Sequence, residues 1–114
     1  MHLYNIVAAS TLSIMATPAI ATEASYGNVY GFQFLANGIV LFQTSGSRGT
    51  PPSCSNPGYP RRWAFDATTD GGRIQISAIL SAYALQKPIK VVGTGACSVV
   101  SDAETMSMIN TDGV

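Results

Sequence analysis

The sequence has few charged residues and no excess of either sign. Six basic and six acidic side chains make up 11% of its 114 residues, and the formal net charge is zero. Soluble proteins average about 25% charged residues. A neutral chain lacks the positive field by which proteins hold nucleic-acid phosphates or anionic lipid headgroups. We therefore expect no nucleic-acid partner and no electrostatic attachment to a membrane.

Histidine and cysteine are also scarce. His2 is the single histidine, and Cys54 and Cys97 are the two cysteines. His2 lies in a segment that we expect to be removed, so the remaining chain cannot build a Ser-His-Asp or Cys-His catalytic relay. Two thiols are too few for a four-thiolate zinc site. We expect a non-catalytic protein with no cofactor and no metal site.

The first 22 residues contain no charged side chain and have the pattern of a signal peptide. Residues 6–21 form an apolar run, diluted by small polar residues, that ends in Ala-Ile-Ala. Signal peptidase requires small residues at the first and third of these places. We expect cleavage after Ala21, with residues 1–21 as the signal peptide and 22–114 as one periplasmic or secreted domain, free of the membrane. The alternative is an uncleaved anchor, because no Lys or Arg precedes the run.

An exported chain meets an oxidising environment, in which cysteines pair. The even count leaves no spare thiol, which predicts a Cys54–Cys97 disulfide. The alternative is a pair of buried free thiols. Cys54 lies in residues 44–60, which are nearly all Ser, Gly, Thr, Pro and Asn and contain four prolines, so they cannot form a central strand. The disulfide would pin this long loop to the strand expected to carry Cys97.

Hydrophobic periodicity predicts five strands. Asn37-Gly38 lies between two β-rich runs, and this pair is the strongest short-range signal for a hairpin. The other strands follow from short runs of β-branched and aromatic residues. The expected strands are 28–35, 39–42, 62–67, 89–92 and 103–109.

A helix is expected over residues 71–86, capped by side-chain oxygens at 68–70 and ended by Pro88. Strands and helix then follow in the order β-β-β-α-β-β, which predicts a mainly β, five-stranded OB-fold-like barrel with its helix between the third and fourth strands. The alternative is an α+β fold, one antiparallel sheet with one packed helix. The apolar stripe expected to face the core is Ile76, Ile79, Leu80, Tyr83 and Ala84.

Residues 63–109 contain Trp-Ala-Phe-Asp, a helix that ends before Lys-Pro, and Gly-Thr-Gly-Ala-Cys. This pattern resembles small, mostly uncharacterised secreted bacterial proteins, although Gln86 stands where they have the glycine of Gly-Lys-Pro. The layout is also similar to B subunits of the subtilase-cytotoxin and pertussis-like toxins, exported OB-fold proteins that assemble as rings and bind glycans. The resemblance implies export, the fold, a glycan or exported-protein partner and a pentamer-like homo-oligomer. The matching positions are Trp63, Asp66, Pro88, Gly93, Gly95, Cys97, Asp102 and Glu104.

Tyr59, Arg61, Arg62 and Trp63 form the one concentration of aromatic and guanidinium groups, at the exit of the long loop. Sugars stack on aromatic faces with planar polar groups at the rim, and the same residue types are enriched at protein interfaces. We expect these four residues to bind a ligand. The alternative places Trp63 in the core with Phe65 and leaves both arginines in solvent.

Three acids, Asp66, Asp102 and Glu104, are the remaining candidates for chemistry. Paired acids hydrolyse glycosides when their surroundings separate their pKa values. We expect instead solvated acids at strand ends, or pairs with Lys87 or Lys90, and a small hydrolase is the alternative.

The function expected from the sequence is an exported binding module, a glycan-binding oligomeric subunit of the toxin-B-subunit type. The alternative is a monomeric periplasmic protein that binds or inhibits another exported protein through residues 44–62.

Overall fold

The computed structural model describes residues 21–111, which form six strands and one helix. The predicted signal peptide lies outside the described residues except for Ala21, as does His2. The elements are β1 Glu23–Gly27, β2 Val29–Phe34, β3 Ile39–Thr44, β4 Arg62–Asp66, α1 Asp70–Leu85, β5 Ile89–Gly93 and β6 Glu104–Asn110.

The six strands form one mixed sheet in the order β1-β5-β6-β4-β3-β2. All neighbours are antiparallel except β4 and β6, which run parallel because α1 and β5 return the chain before β6 begins. The fold is mainly β, as expected. Within residues 21–111 the sheet is not closed, because β1 and β2 form its two edges and no ladder joins them. The expected five-stranded barrel is therefore not supported, and the α+β alternative fits, with a mixed sheet in place of an antiparallel one.

The additional strand, β1, has a short and polar sequence that does not alternate clearly. It is a strand because β5 supplies an antiparallel partner, with Glu23 opposite Val92 and Ala24 opposite Val91. Only Asn28 separates β1 from β2. The local sequence pattern therefore did not predict β1, because the strand that pairs with it lies far away in the sequence.

The hairpin predicted at Asn37-Gly38 is confirmed by the antiparallel pairing of β2 and β3. Gly38 takes a positive φ of 86°, and the Asn37 side-chain oxygen accepts a hydrogen bond from the Ile39 amide at 3.2 Å. The turn brings β3 beside β2, and β3 also pairs with β4. Both β3 and β4 contribute side chains to the main core. That core contains Val40, Phe42, Trp63, Phe65, Ile79, Ile89 and Val91.

The helix begins and ends within one residue of its expected bounds, but its buried face differs from the prediction. Gly72, Ile79 and Ala82 are buried, whereas Leu80 and Tyr83 are exposed. A Cβ atom at Gly72 would lie 1.9 Å from the Asp66 carbonyl oxygen. There is therefore no space for a side chain at Gly72, close to the point where the chain passes from β4 into the helix.

Gln86 ends the helix in a left-handed conformation, with φ 53° and ψ 40°. A side chain there clashes with the backbone, which glycine avoids. Gln86→Gly is therefore expected to raise the free energy of unfolding by about 1 kcal/mol, measured by urea denaturation. Gln86→Ala keeps the same clash and is the control. A glycine variant no more stable than the alanine variant would contradict the prediction.

Candidate functional site

The predicted Cys54–Cys97 disulfide is present, with the two Cα atoms 6.1 Å apart. It fastens the long loop between β3 and β4 to the segment between β5 and β6. We expected Cys97 to lie on a strand, but it lies in this connecting segment. The Asn56 amide also donates to the Asp102 carbonyl at 2.8 Å. The loop is thus attached to the rest of the fold at two neighbouring points.

The side chain of Arg48, a residue of the same loop, also fixes the position of the loop. Its Nη1 donates to the carbonyl oxygens of Pro60 at 3.0 Å and Arg62 at 2.9 Å. Its guanidinium carbon lies 3.7 Å from the centre of the Trp63 ring, a cation–π contact. Its Nη2 lies 2.6 Å from Glu104 Oε1. A single side chain therefore joins the start of the loop, its end and the sheet.

Glu104, the acceptor for Arg48, is 0% exposed, so the expectation of a solvated acid is wrong. Its Oε1 also accepts from the Thr22 hydroxyl, and its Oε2 accepts from the Gly95 amide at 2.8 Å. Burial lowers the pKa of Arg48, and the hydrogen bond and charge of Glu104 oppose this shift. A buried carboxylate needs such partners, because taking a charged group out of water costs on the order of several kcal/mol per ion.

The Gly93-Thr94-Gly95 turn forms the wall of this carboxylate site. The register of β5 and β6 shifts between Val92 and Gly93, where the strand enters this turn. Gly95 has a positive φ of 81° and presents its amide to Glu104. The glycine-rich turn therefore binds an anion of this chain itself, the Glu104 carboxylate, and sequence reasoning missed this role.

The four predicted site residues separate into two layers. Arg62 stacks its guanidinium on the Tyr59 ring, with 3.7 Å between the guanidinium carbon and the ring centre. Tyr59 is 45% exposed and Arg61 is also exposed, whereas Trp63 is 0% exposed beneath Arg48. The burial of Trp63 fits the alternative that placed it in the core with Phe65. Tyr59, Arg61 and Arg62 form the surface that we name the arginine–tyrosine surface.

Two clefts border the arginine–tyrosine surface. The first, of about 290 Å³, is lined by Ser47, Arg48, Gly49, Pro51, Pro60 and Arg61. The second, of about 380 Å³, lies in the loop itself and is lined mainly by prolines. Its lining residues are Pro51, Pro52, Ser53, Ser55, Asn56, Pro57 and Pro60.

The other candidate acid on β4 lies apart from Glu104. Asp66 is the last residue of β4, whereas Glu104 pairs with Trp63 near the start of that strand. Two hydrogen bonds from Thr68 lower the pKa of Asp66. The Thr68 hydroxyl donates at 2.6 Å and has the larger effect, and the Thr68 amide donates at 2.8 Å. A lowered pKa contributes stability above the unfolded-state pKa, and this contribution is lost as the pH falls. Asp66 thus stays ionised as a turn acceptor at neutral pH.

A second exposed surface consists of aromatic side chains from β2 and α1. Phe32 stacks on Phe34, with ring centres 5.3 Å apart, and meets the edge of Tyr83 at 5.2 Å. Phe34 and Tyr83 are exposed. Phe32 and Phe34 lie on β2, an edge strand of the sheet, so this aromatic surface is partly open to solvent.

Within residues 21–111, no three His, Cys, Asp or Glu side chains converge as metal ligands. In the same part of the chain, no helix has the length and hydrophobicity needed to cross a membrane. The chain matches no protein-family model, no curated protein and no solved structure.

Proposed function

We propose that this protein is an exported, non-catalytic binding module that holds a glycan at the arginine–tyrosine surface as one subunit of a homo-oligomer. The observation that carries the proposal is the Tyr59–Arg62 stack at 3.7 Å, in which Tyr59 is exposed and Arg62 partly exposed, beside Arg61 and a cleft. An aromatic ring offers an apolar face to a sugar, and guanidinium groups offer planar donors to its oxygens.

The charges of the loop support an oxygen-rich ligand. Residues 45–62 contain three arginines and no acid. Glu104 balances Arg48 within the fold, which leaves Arg61 and Arg62 without an ion-pair partner among the salt bridges of the described residues. Sugar hydroxyls and ring oxygens accept hydrogen bonds from such groups.

The attachment of the loop supports a preformed site. The disulfide holds the middle of the loop, and Arg48 binds the carbonyl oxygens of Pro60 and Arg62 on either side of Arg61. A fixed backbone lowers the entropy that binding would otherwise cost.

The exposed face of α1 supports the oligomeric part of the proposal. Ile74 is 73% exposed and Leu85 is 70% exposed. With Ala78 and Ser81 between them, they follow helical spacing along one stripe. Apolar side chains of this size in one stripe are typical of a surface that another protein covers. A second copy of this chain is the occupant that we propose.

Glycan binding is tested with protein exported through its own leader and applied to an array of neutral and acidic glycans. Tyr59→Ala and Arg61→Ala are each expected to lower the affinity at least about tenfold, because residues of this type dominate such contacts. Arg73→Ala is the matched control, since Arg73 is an exposed arginine of α1 that pairs only loosely with Asp70 at 3.6 Å. All three variants should keep the wild-type urea midpoint.

Failure of the wild-type protein to bind any glycan would contradict the proposal, as would unchanged affinity in both loop variants.

The proline-lined cleft favours a protein partner as the second candidate function. Pull-down from periplasmic extract identifies that case if the partner is lost with Pro57→Asp, in the lining of this cleft, and kept with Arg61→Ala, which is not part of it. Light scattering tests assembly. A monomeric wild-type protein would contradict the proposed homo-oligomer. Leu85→Asp is expected to dissociate the oligomer.

A further inference from the structure

Thr22 is bound to the buried carboxylate through its backbone and its side chain. Its hydroxyl donates to Glu104 Oε1, and its amide nitrogen lies 3.4 Å from Glu104 Oε2. Its carbonyl accepts from the Gly93 amide at 2.8 Å. Thr22 is buried, whereas Ala21 is exposed. Glu23 is exposed as well, so the side chain of Thr22 lies on the buried side of a segment whose two neighbouring residues face outward.

The two oxygens of Glu104 are not equally satisfied. Oε1 accepts close hydrogen bonds from Arg48 and from the Thr22 hydroxyl. Oε2 has one good donor, the Gly95 amide at 2.8 Å. Its other neighbour, the Thr22 amide, is at 3.4 Å, beyond the usual range of about 2.7–3.2 Å for an N–H donor. Oε2 thus has room for a stronger donor at the position of the Thr22 nitrogen.

We propose that the Ala21–Thr22 bond is a processing site whose product, the α-ammonium group of Thr22, binds the buried Glu104 carboxylate as its second cation. Signal peptidase adds water across the bond, which leaves a carboxylate on Ala21 and an amine on Thr22. The amine takes up a proton, because a free α-amino group has a pKa of about 8. The Ala-Ile-Ala tripeptide that ends at Ala21 matches the sequence requirement of that enzyme.

The released ammonium group makes better contacts than the amide that it replaces. It has three donors and a full charge, and it is no longer tethered to Ala21. Charge-assisted N–H bonds to carboxylates are typically about 2.7–2.9 Å long. The other charged groups around it are Arg48 and the partly exposed Glu23–Lys90 pair at 3.3 Å. Arg48 binds the opposite carboxylate oxygen through Nη2, and its Nε lies 3.4 Å from the Thr22 hydroxyl oxygen. One cation then lies on each oxygen of Glu104. The N-terminus of the processed chain is therefore bound to Glu104 more strongly than Thr22 is in the precursor.

The test uses the full chain exported through its own leader in a bacterial host. Intact mass is expected to show a product that begins at Thr22. A variant with one alanine inserted between Ala21 and Thr22 yields a product whose amine is one residue displaced from Glu104. At neutral pH, the Thr22 amine is expected to be acylated about tenfold more slowly than the amine of the insertion variant, with exposed Lys87 as an internal reference. The insertion variant should also unfold at lower urea concentration.

A product that begins at another residue would overturn the proposal, as would equal acylation rates or equal urea midpoints. In Glu104→Gln, both differences should disappear. If Glu104→Gln does not fold, the acylation comparison between the wild-type and insertion chains still decides. None of these outcomes depends on what the arginine–tyrosine surface binds.

Discussion

Glu104→Gln is expected to lower the free energy of unfolding by about 3–5 kcal/mol, because it leaves the Arg48 guanidinium buried without a counter-charge. The two side chains are 4% and 0% exposed, and the carboxylate binds groups from three separate parts of the chain. Urea denaturation of the oxidised protein measures the loss. The fluorescence of Trp63, the only tryptophan, reports unfolding of the site directly because its ring lies against Arg48.

Glu23→Gln is the matched control for this prediction. Glu23 also forms an ion pair, with Lys90 at 3.3 Å, but the Glu23 side chain is 59% exposed and the Lys90 side chain 33% exposed. Exposed pairs contribute about 0.2–1 kcal/mol, so Glu23→Gln should change stability by less than that. Similar losses in both variants would show that burial does not set the strength of the Glu104 pair.

Gly93→Ala is expected to lower the free energy of unfolding by about 3 kcal/mol, as does severe overpacking of a core. A Cβ atom at Gly93 would lie 1.9 Å from Glu104 Oε2 and 2.7 Å from Trp63 Cζ3. Neither group can move away cheaply. The carboxylate is fixed by its donors, and the indole lies between Arg48 and the core. The same urea experiment measures the loss.

Gly71→Ala makes the same chemical change where there is space. A Cβ atom at Gly71 meets nothing within 4 Å, and the residue lies in the first turn of α1. Alanine restricts the unfolded chain and favours the helix, so this variant should gain about 0.5–1 kcal/mol. A loss at Gly71, or no loss at Gly93, would contradict the packing argument.

Elements with a strong local signal were predicted well. The Asn37-Gly38 hairpin and the bounds of α1 depend on backbone preferences of a few adjacent residues. Thr69 caps the helix through a hydrogen bond from the Gly72 amide at 2.9 Å, within the segment where a cap was expected. The disulfide followed from the number of cysteines and the expected export.

Features that depend on distant partners were missed or misassigned. Strand β1 depends on pairing with β5, and the buried face of α1 is the one whose Ile79 and Ala82 pack against core residues of the strands. Of the candidate site, sequence reasoning found the exposed Tyr59 and Arg61 but not the support beneath them. Arg48 had no signal of its own, because it lies in a flexible-looking loop with no acid nearby in the sequence.

By itself, the sequence determined the β-rich class, the hairpin, the helix and the pairing of the two cysteines, since each depends on local preference or on simple counting. Only the tertiary structure decided that the sheet stays open and that Glu104 is buried. The donors of Glu104 are Arg48 and Thr22, which lie 56 and 82 residues away along the chain. A carboxylate that looks solvated in a strand pattern becomes a buried anion because long-range folding brings its cation and hydrogen-bond donors to it.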